Sequence, residues 1–401
     1  MLRLVNLLKS HFYVAIILVV ILSSLLVSFG SNHLLSFVYA IGLSTKEIIL
    51  FLLPLLIFGC GFRCVIQLKN ESSRLLLLLL GFIIASNFIA SWGGFAAVSW
   101  VPLDFAFSNH IEQLNLMPLW EFTLYKPVPT PIALLAGIFT AIILRIYHVK
   151  KSQALVEKIN QFTQGLLNCA LLPMLPFFML GFLVKMLYEG SLSIIFQQYM
   201  TLAIVLLASY SAYLLIIFWA VAGFQFKKAL RYIWNLSPAG WLGFTTLSGL
   251  AALPLSIQCS EKNIRHKVLA GGVLPLSSNI HLVGESLTLT ILACMVHALY
   301  FGHLPGLIEF SQYAFMWVIY AFSIAAVPAD SIIVMIPVLK SVLGFTPEMI
   351  AFTTLIYLFI EPLSTIINIM GNGFLVILMD KVYGHKAMAG VEVNKTQRVE
   401  A

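Results

Sequence analysis

Six polar residues recur at spacings of three and four near the end of the chain: Tyr357, Glu361, Ser364, Thr365, Asn368 and Asn372. Those spacings place them on one face of a helix whose other positions are apolar. In an apolar medium such a stripe must face protein or water, because hydrocarbon offers no hydrogen-bond partner. Adhesion between helices would use it, and so would a solute path. Glu361 favours the path, since an ionisable group inside a membrane commonly marks a site.

A second constellation is His281 and Glu285, four residues apart and on one face if that turn is helical. An imidazole and a buried carboxylate can exchange protons near neutral pH, so the pair could carry them. A structural hydrogen bond that satisfies a buried histidine is an equal alternative. Asp330 closes the run Ala325-Ala326-Val327-Pro328-Ala329-Asp330 and is read either as water-facing or as a gate residue over an amine. The five cysteines, among them Cys60 and Cys64, lack neighbouring histidines and read as small packing residues with no metal site. No His-Glu-x-x-His, Gly-x-Ser-x-Gly or paired aspartates argue for an enzyme.

The elements that carry these groups are membrane helices. Charged residues make up 10% of the chain and apolar ones 60%, against roughly 25% charge in ordinary soluble domains. The net charge of +7 lies in short clusters between apolar spans, the pattern of cytoplasmic loops and not of a nucleic-acid surface. Apolar spans near 12–30, 45–67, 73–100, 130–148, 162–188 and 196–224 are long enough to cross a bilayer. Basic clusters fall at every second junction, which predicts six passes from a cytoplasmic N-terminus. The first span is read as an uncleaved helix, because it is too long for a signal peptide.

After residue 224 the ledger changes. Lys227–Arg231 and Lys262–Lys267 are both basic, so both should be cytoplasmic, yet 232–260 is too short for two passes. Gly243, Ser248, Gly249 and Pro254 interrupt it. A segment that enters and leaves on one side is a re-entrant hairpin, and a similar one is predicted over 306–342. Two such hairpins around one span form the interrupted-helix architecture of secondary transporters.

The second half resembles the dicarboxylate/amino acid:cation symporter family, of glutamate-transporter type. The resemblance rests on Thr245-Thr246-Leu247-Ser248-Gly249 through Pro254 to Asn263, on Val273-Leu274-Pro275-Leu276, on Ala326-Val327-Pro328 and on Asn368-Ile369-Met370-Gly371-Asn372. It implies eight transmembrane helices plus two re-entrant hairpins in an all-α polytopic membrane protein. Residues 1–224 would be six mainly scaffold helices. Residues 225–385 would be the transport core, with helix 7 near 264–302 and helix 8 near 346–380, followed by a cytoplasmic tail over 386–401. It further implies a homotrimer in the cytoplasmic (inner) membrane with both termini cytoplasmic, a coupling cation (proton or sodium) as co-substrate, and no other cofactor.

By the same resemblance the solute site comprises Ser248, Gly249, Glu285, Pro328, Asp330, Glu361, Ser364, Thr365 and Asn368. Glu361 would hold a solute amine and Asn368 its α-carboxylate. Ion coupling would fall to His281, Glu285, Asn368 and Asn372. The departures carry the specificity. Ser364 stands where acidic-substrate members keep an arginine whose fork grips a second carboxylate, and Glu285 replaces a threonine there. His281, Val283 and Asn372 stand where sodium would find oxygen ligands, which hard cations prefer. The expectation is alternating-access symport of an amino acid or related small carboxylate, with protons favoured over sodium and a neutral amino acid over an acidic one. The alternatives are a sodium-coupled glutamate or dicarboxylate symporter, and a passive channel or non-transporting relative.

Overall fold

A computed structural model describes residues 12–67, 73–101, 116–124, 128, 130–146, 157–159, 161–162, 165–189, 191–246, 248–322, 324 and 329–399. All regular structure among them is helical. The first half contributes α1 (Phe12–Phe29), α2 (Asn32–Gln67), α3 (Ser73–Ser99), α4 (Thr130–Ile146), α5 (Leu172–Tyr188, entered through a π-helical turn over Leu166–Leu171) and α6 (Ser191–Val221). Among the described residues, five helices are long and apolar enough to cross a membrane. Large apolar side chains such as Leu77 and Ile216 stand 69% and 62% exposed, as lipid-facing positions should. The expected second span, 45–67, begins earlier, at Asn32, because no proline interrupts Asn32 to Ser44.

The predicted first hairpin is a pair of packed helices, α7 (Phe226–Thr246) and α8 (Gly249–Glu261). Its break is narrower than expected. Gly243 and Pro254 lie inside helices, and the chain leaves helical geometry at Ser248 (φ −143, ψ 114), whose hydroxyl accepts the Ala251 N–H at 3.2 Å. That is an ordinary N-cap, so a sequence signal read as a glycine–proline break is carried by one serine. The second pair is α11 (Leu307–Ala321) and α12 (Asp330–Ser341). Ala329 enters α12 with φ 65, a left-handed conformation that costs a non-glycine residue about 1 kcal/mol or more.

The expected seventh helix is two, α9 (Val268–Ser277) and α10 (Val283–Phe301), separated by an unwound stretch at 278–282. Every residue of α10 from Val283 to Ala298 is buried, so this helix is the axis of the molecule. α13 (Pro347–Val399) runs beside it and continues past the expected end near 380 through the predicted tail. Two glycines let the axes approach closely. A Cβ on Gly284 would lie 2.2 Å from the Ser364 carbonyl oxygen of α13, and one on Gly181 of α5 would lie 2.6 Å from Gly42 Cα of α2.

Candidate functional site

The unwound stretch frees backbone groups that a helix would satisfy internally, and a helix of the first half answers them. Asn87 of α3, fully buried, donates from Nδ2 to the Ile280 carbonyl at 2.8 Å and accepts the Leu282 N–H on Oδ1 at 3.0 Å. Its neighbour Ser86 lies 2.9 Å from His281 Nε2 and 3.1 Å from the Tyr213 hydroxyl of α6. From the other side Asn368 of α13 caps α10, its Oδ1 accepting the N–H groups of Gly284 at 2.8 Å and Glu285 at 3.3 Å. The break is therefore held by two asparagine amides, one from each side.

Around it lies a cleft of about 580 Å³ including its mouth, a size suited to a small solute. Of the predicted site residues it brings together Gly249, Glu285, Asp330, Glu361, Thr365, Asn368 and Asn372. Ser256, Ser278 and Ser331 add polar lining that the sequence did not single out. Three carboxyl groups converge there, on Glu285, Asp330 and Glu361, each 4% exposed. No lysine or arginine is among the described lining residues.

Each carboxylate is held differently. Glu285 accepts the Tyr357 hydroxyl on Oε2 at 2.7 Å, and on Oε1 the Ser364 hydroxyl at 2.6 Å and Asn368 Nδ2 at 3.4 Å. Glu361 Oε1 accepts the Ala329 N–H at 2.7 Å, tying α13 to the start of α12. Asp330 accepts the Ser331 hydroxyl at 3.3 Å. Asp330 is thus buried at the cleft and does not face open water.

Other expectations are corrected. His281 precedes α10 in the unwound stretch, so it shares no helical face with Glu285. Its ring nitrogen turns to Ser86, while Glu285 is taken by Tyr357 and Ser364. Ser364 is fully buried behind Glu285 and does not line the cleft; Ser248 acts as a cap beside it. Pro328, with Ala325, Ala326 and Val327, lies outside the described residues, as do the side chains of Cys60 and Cys64. Tyr357 is the stripe residue whose role the sequence left open; it holds Glu285. Ser86 and Asn87 were missed, although a lone asparagine inside an apolar span was a usable signal.

A lipid-facing helical body with a carboxylate-lined cleft where interrupted helices meet is the build of a secondary transporter. A family model described as the sodium:dicarboxylate symporter family matches residues 12–382, and the chain belongs to that family. It is an integral membrane symporter for a small carboxylate or amino acid, with a coupling cation as co-substrate. No curated protein matches the chain.

Proposed function

We propose that the protein moves an amino acid with a free ammonium group by alternating access, and that it prefers a neutral amino acid to an acidic one. One observation carries this: Glu285, Asp330 and Glu361 converge on the cleft with no cationic residue among its described lining. A solute with two carboxylates would bring like charge to that wall without an arginine fork to receive it. A solute ammonium would be held by Glu361, and its carboxylate by Asn368 and neighbouring N–H groups. Residues 225–385, with both re-entrant hairpins and the last two of eight transmembrane helices, form the moving core against a scaffold of the six earlier helices, in a trimer in the cytoplasmic membrane with both termini cytoplasmic.

Protons are the proposed coupling ion in preference to sodium. The His281 ring and the Asn372 side-chain amide are both buried and interact with each other, and Asn372 Nδ2 also reaches the His281 carbonyl at 3.3 Å. A proton on Nδ1 would find its acceptor in that amide oxygen, whereas Val283 offers sodium nothing. The test is uptake into proteoliposomes under a pH gradient or a sodium gradient, across neutral, cationic and acidic amino acids. Neutral solutes should accumulate with the pH gradient alone. Accumulation of glutamate or aspartate driven by sodium would replace this reading with the family's named activity.

A further inference from the structure

One cluster of charges outside the cleft ties the first half of the chain to the helix that bears the site. Lys185, in the last turn of α5, places Nζ 2.7 Å from Glu348 Oε1 and 3.9 Å from Glu189 Oε1. The ammonium also lies 5.2 Å from the centroid of the Tyr39 ring on α2. Glu189 in turn accepts the Leu116 N–H at 3.3 Å. Glu348 stands in the first turn of α13, where the helix dipole favours an anion. The polar stripe of the cleft begins further along that helix, at Tyr357.

A recess open to solvent lies beside this ion pair. It measures about 370 Å³ including its mouth and runs between Lys46 and Ile49 of α2 and Phe178 of α5 on one side and Ile336 and Lys340 of α12 and Ile350 of α13 on the other. Within the first half, by contrast, α2 and α5 meet with glycine against glycine. A boundary of packed side chains resists sliding, because interdigitated cores have discrete arrangements. A boundary cut by an open recess and bridged by charged side chains resists it less. The Lys185 and Glu348 side chains are 15% and 23% exposed. At that depth the pair is stronger than on open surface, yet it can part with water at hand.

We propose that Lys185–Glu348 is a latch across the boundary at which the transport core slides against α2 and α5. It holds the arrangement described here and must open for the core to move. The proposal rests on the alternating-access reading above. Its consequence is that neutralising either partner shifts the population away from this arrangement without touching the cleft.

The experiment uses full-length protein with its own cysteines replaced and with Lys46→Cys and Lys340→Cys flanking the recess from opposite sides. Crosslinking by a short bis-thiol reagent then reports how often the boundary is closed. Glu348→Gln and Lys185→Met should each slow crosslinking about tenfold, the effect of losing one charge-assisted contact. The exchanged pair, Lys185→Glu with Glu348→Lys, should restore it, which no purely structural role predicts. Equal rates in Glu348→Gln and the parent overturn the latch. If the single variants yield no folded protein, the parent answers alone: raising salt from about 0.1 M to about 1 M screens the pair and should slow crosslinking, and an unchanged rate overturns the proposal. Crosslinking needs no transport, so a charge-sensitive boundary in a protein that accumulates no solute would support the latch while sinking the functional reading.

Discussion

The contact between α2 and α5 and the contact between α5 and α13 are built from opposite materials. The first is apolar and close, with Gly42 and Gly181 face to face. The second includes a lysine and a glutamate paired beside an open recess. Close glycine contacts bind helices in lipid by dispersion alone and leave no alternative register, whereas an ion pair specifies one arrangement and can be exchanged for another. The difference teaches where the molecule is one body and where it is two. α10 and α13 also approach closely, with Gly284 against the Ser364 carbonyl, and hydrogen bonds between Asn368, Ser364 and Tyr357 and α10 add to the contact, so the cleft is carried inside a rigid unit.

The strongest way to break this comparison is to place a methyl group at each tight contact. Gly181→Ala would put its Cβ 2.6 Å from Gly42 Cα, and Gly284→Ala would put its Cβ 2.2 Å from a backbone oxygen. Neither neighbour is a flexible side chain, so whole helices must separate at a cost of about 3 kcal/mol. Both variants should melt well below the parent in a thermal unfolding assay, and Gly284→Ala should also lose solute-dependent stabilisation. Lys185→Met should stay within about 1 kcal/mol of the parent, as expected of a partly exposed pair. Equal melting of all three would abolish the distinction.

Next in size is Asn87→Ala. It strands the Ile280 carbonyl and the Leu282 N–H, both otherwise served by that one amide. Leaving buried polar groups unsatisfied costs about 1–3 kcal/mol each, and water can refill part of the gap, so about 2 kcal/mol is expected. The loss should appear as faster hydrogen exchange at 278–285 before any change elsewhere. Unchanged exchange there would show that α3 does not hold the break.

Glu361→Gln sharpens the comparison within the rigid unit. The amide oxygen can still accept the Ala329 N–H that Glu361 accepts at 2.7 Å, so the fold should survive. An ammonium solute, however, loses a charged partner, worth about 1.5 kcal/mol and hence about tenfold in affinity. Isothermal titration with a solute that the parent binds would measure it. Wild-type affinity in Glu361→Gln would move the amine to Asp330.

What could be read from the chain follows the same division. The stripe from Tyr357 to Asn372 was legible because helical periodicity is local. The His281–Glu285 pairing was not, because a spacing of four means a shared face only inside a helix, and His281 falls in the unwound stretch. The breaks at Gly243 and Pro254 were over-read, since packing against α13 keeps α7 helical and membrane helices tolerate proline. Asn87 and Lys185 act on partners 193 and 163 residues away, and no local pattern encodes such distances.

The smallest effect is also the cleanest comparison, because it lies in two adjacent residues of α3. A Cβ on Gly93 meets nothing within 4 Å, while one on Gly94 meets Thr290 Cβ at 3.2 Å and both Ile291 Cγ1 and the Leu287 carbonyl oxygen at 3.3 Å. Alanine inside a helix is favoured over glycine by about 0.5–1 kcal/mol through lost chain entropy. Gly93→Ala should therefore be neutral or slightly stabilising. Gly94→Ala gains the same entropy but must push α10 away by a few tenths of an ångström, against a helix buried along almost its whole length. The pair should differ by about 1 kcal/mol in thermal unfolding, with Gly94→Ala the less stable. The entropy gain cancels in the comparison, so the sign of the difference reports only whether α3 and α10 are in contact. Two variants of equal stability would mean that α3 is free of α10. The Asn87 clamp would then be a weak tether, and α3 would belong with the early helices and not with the cleft.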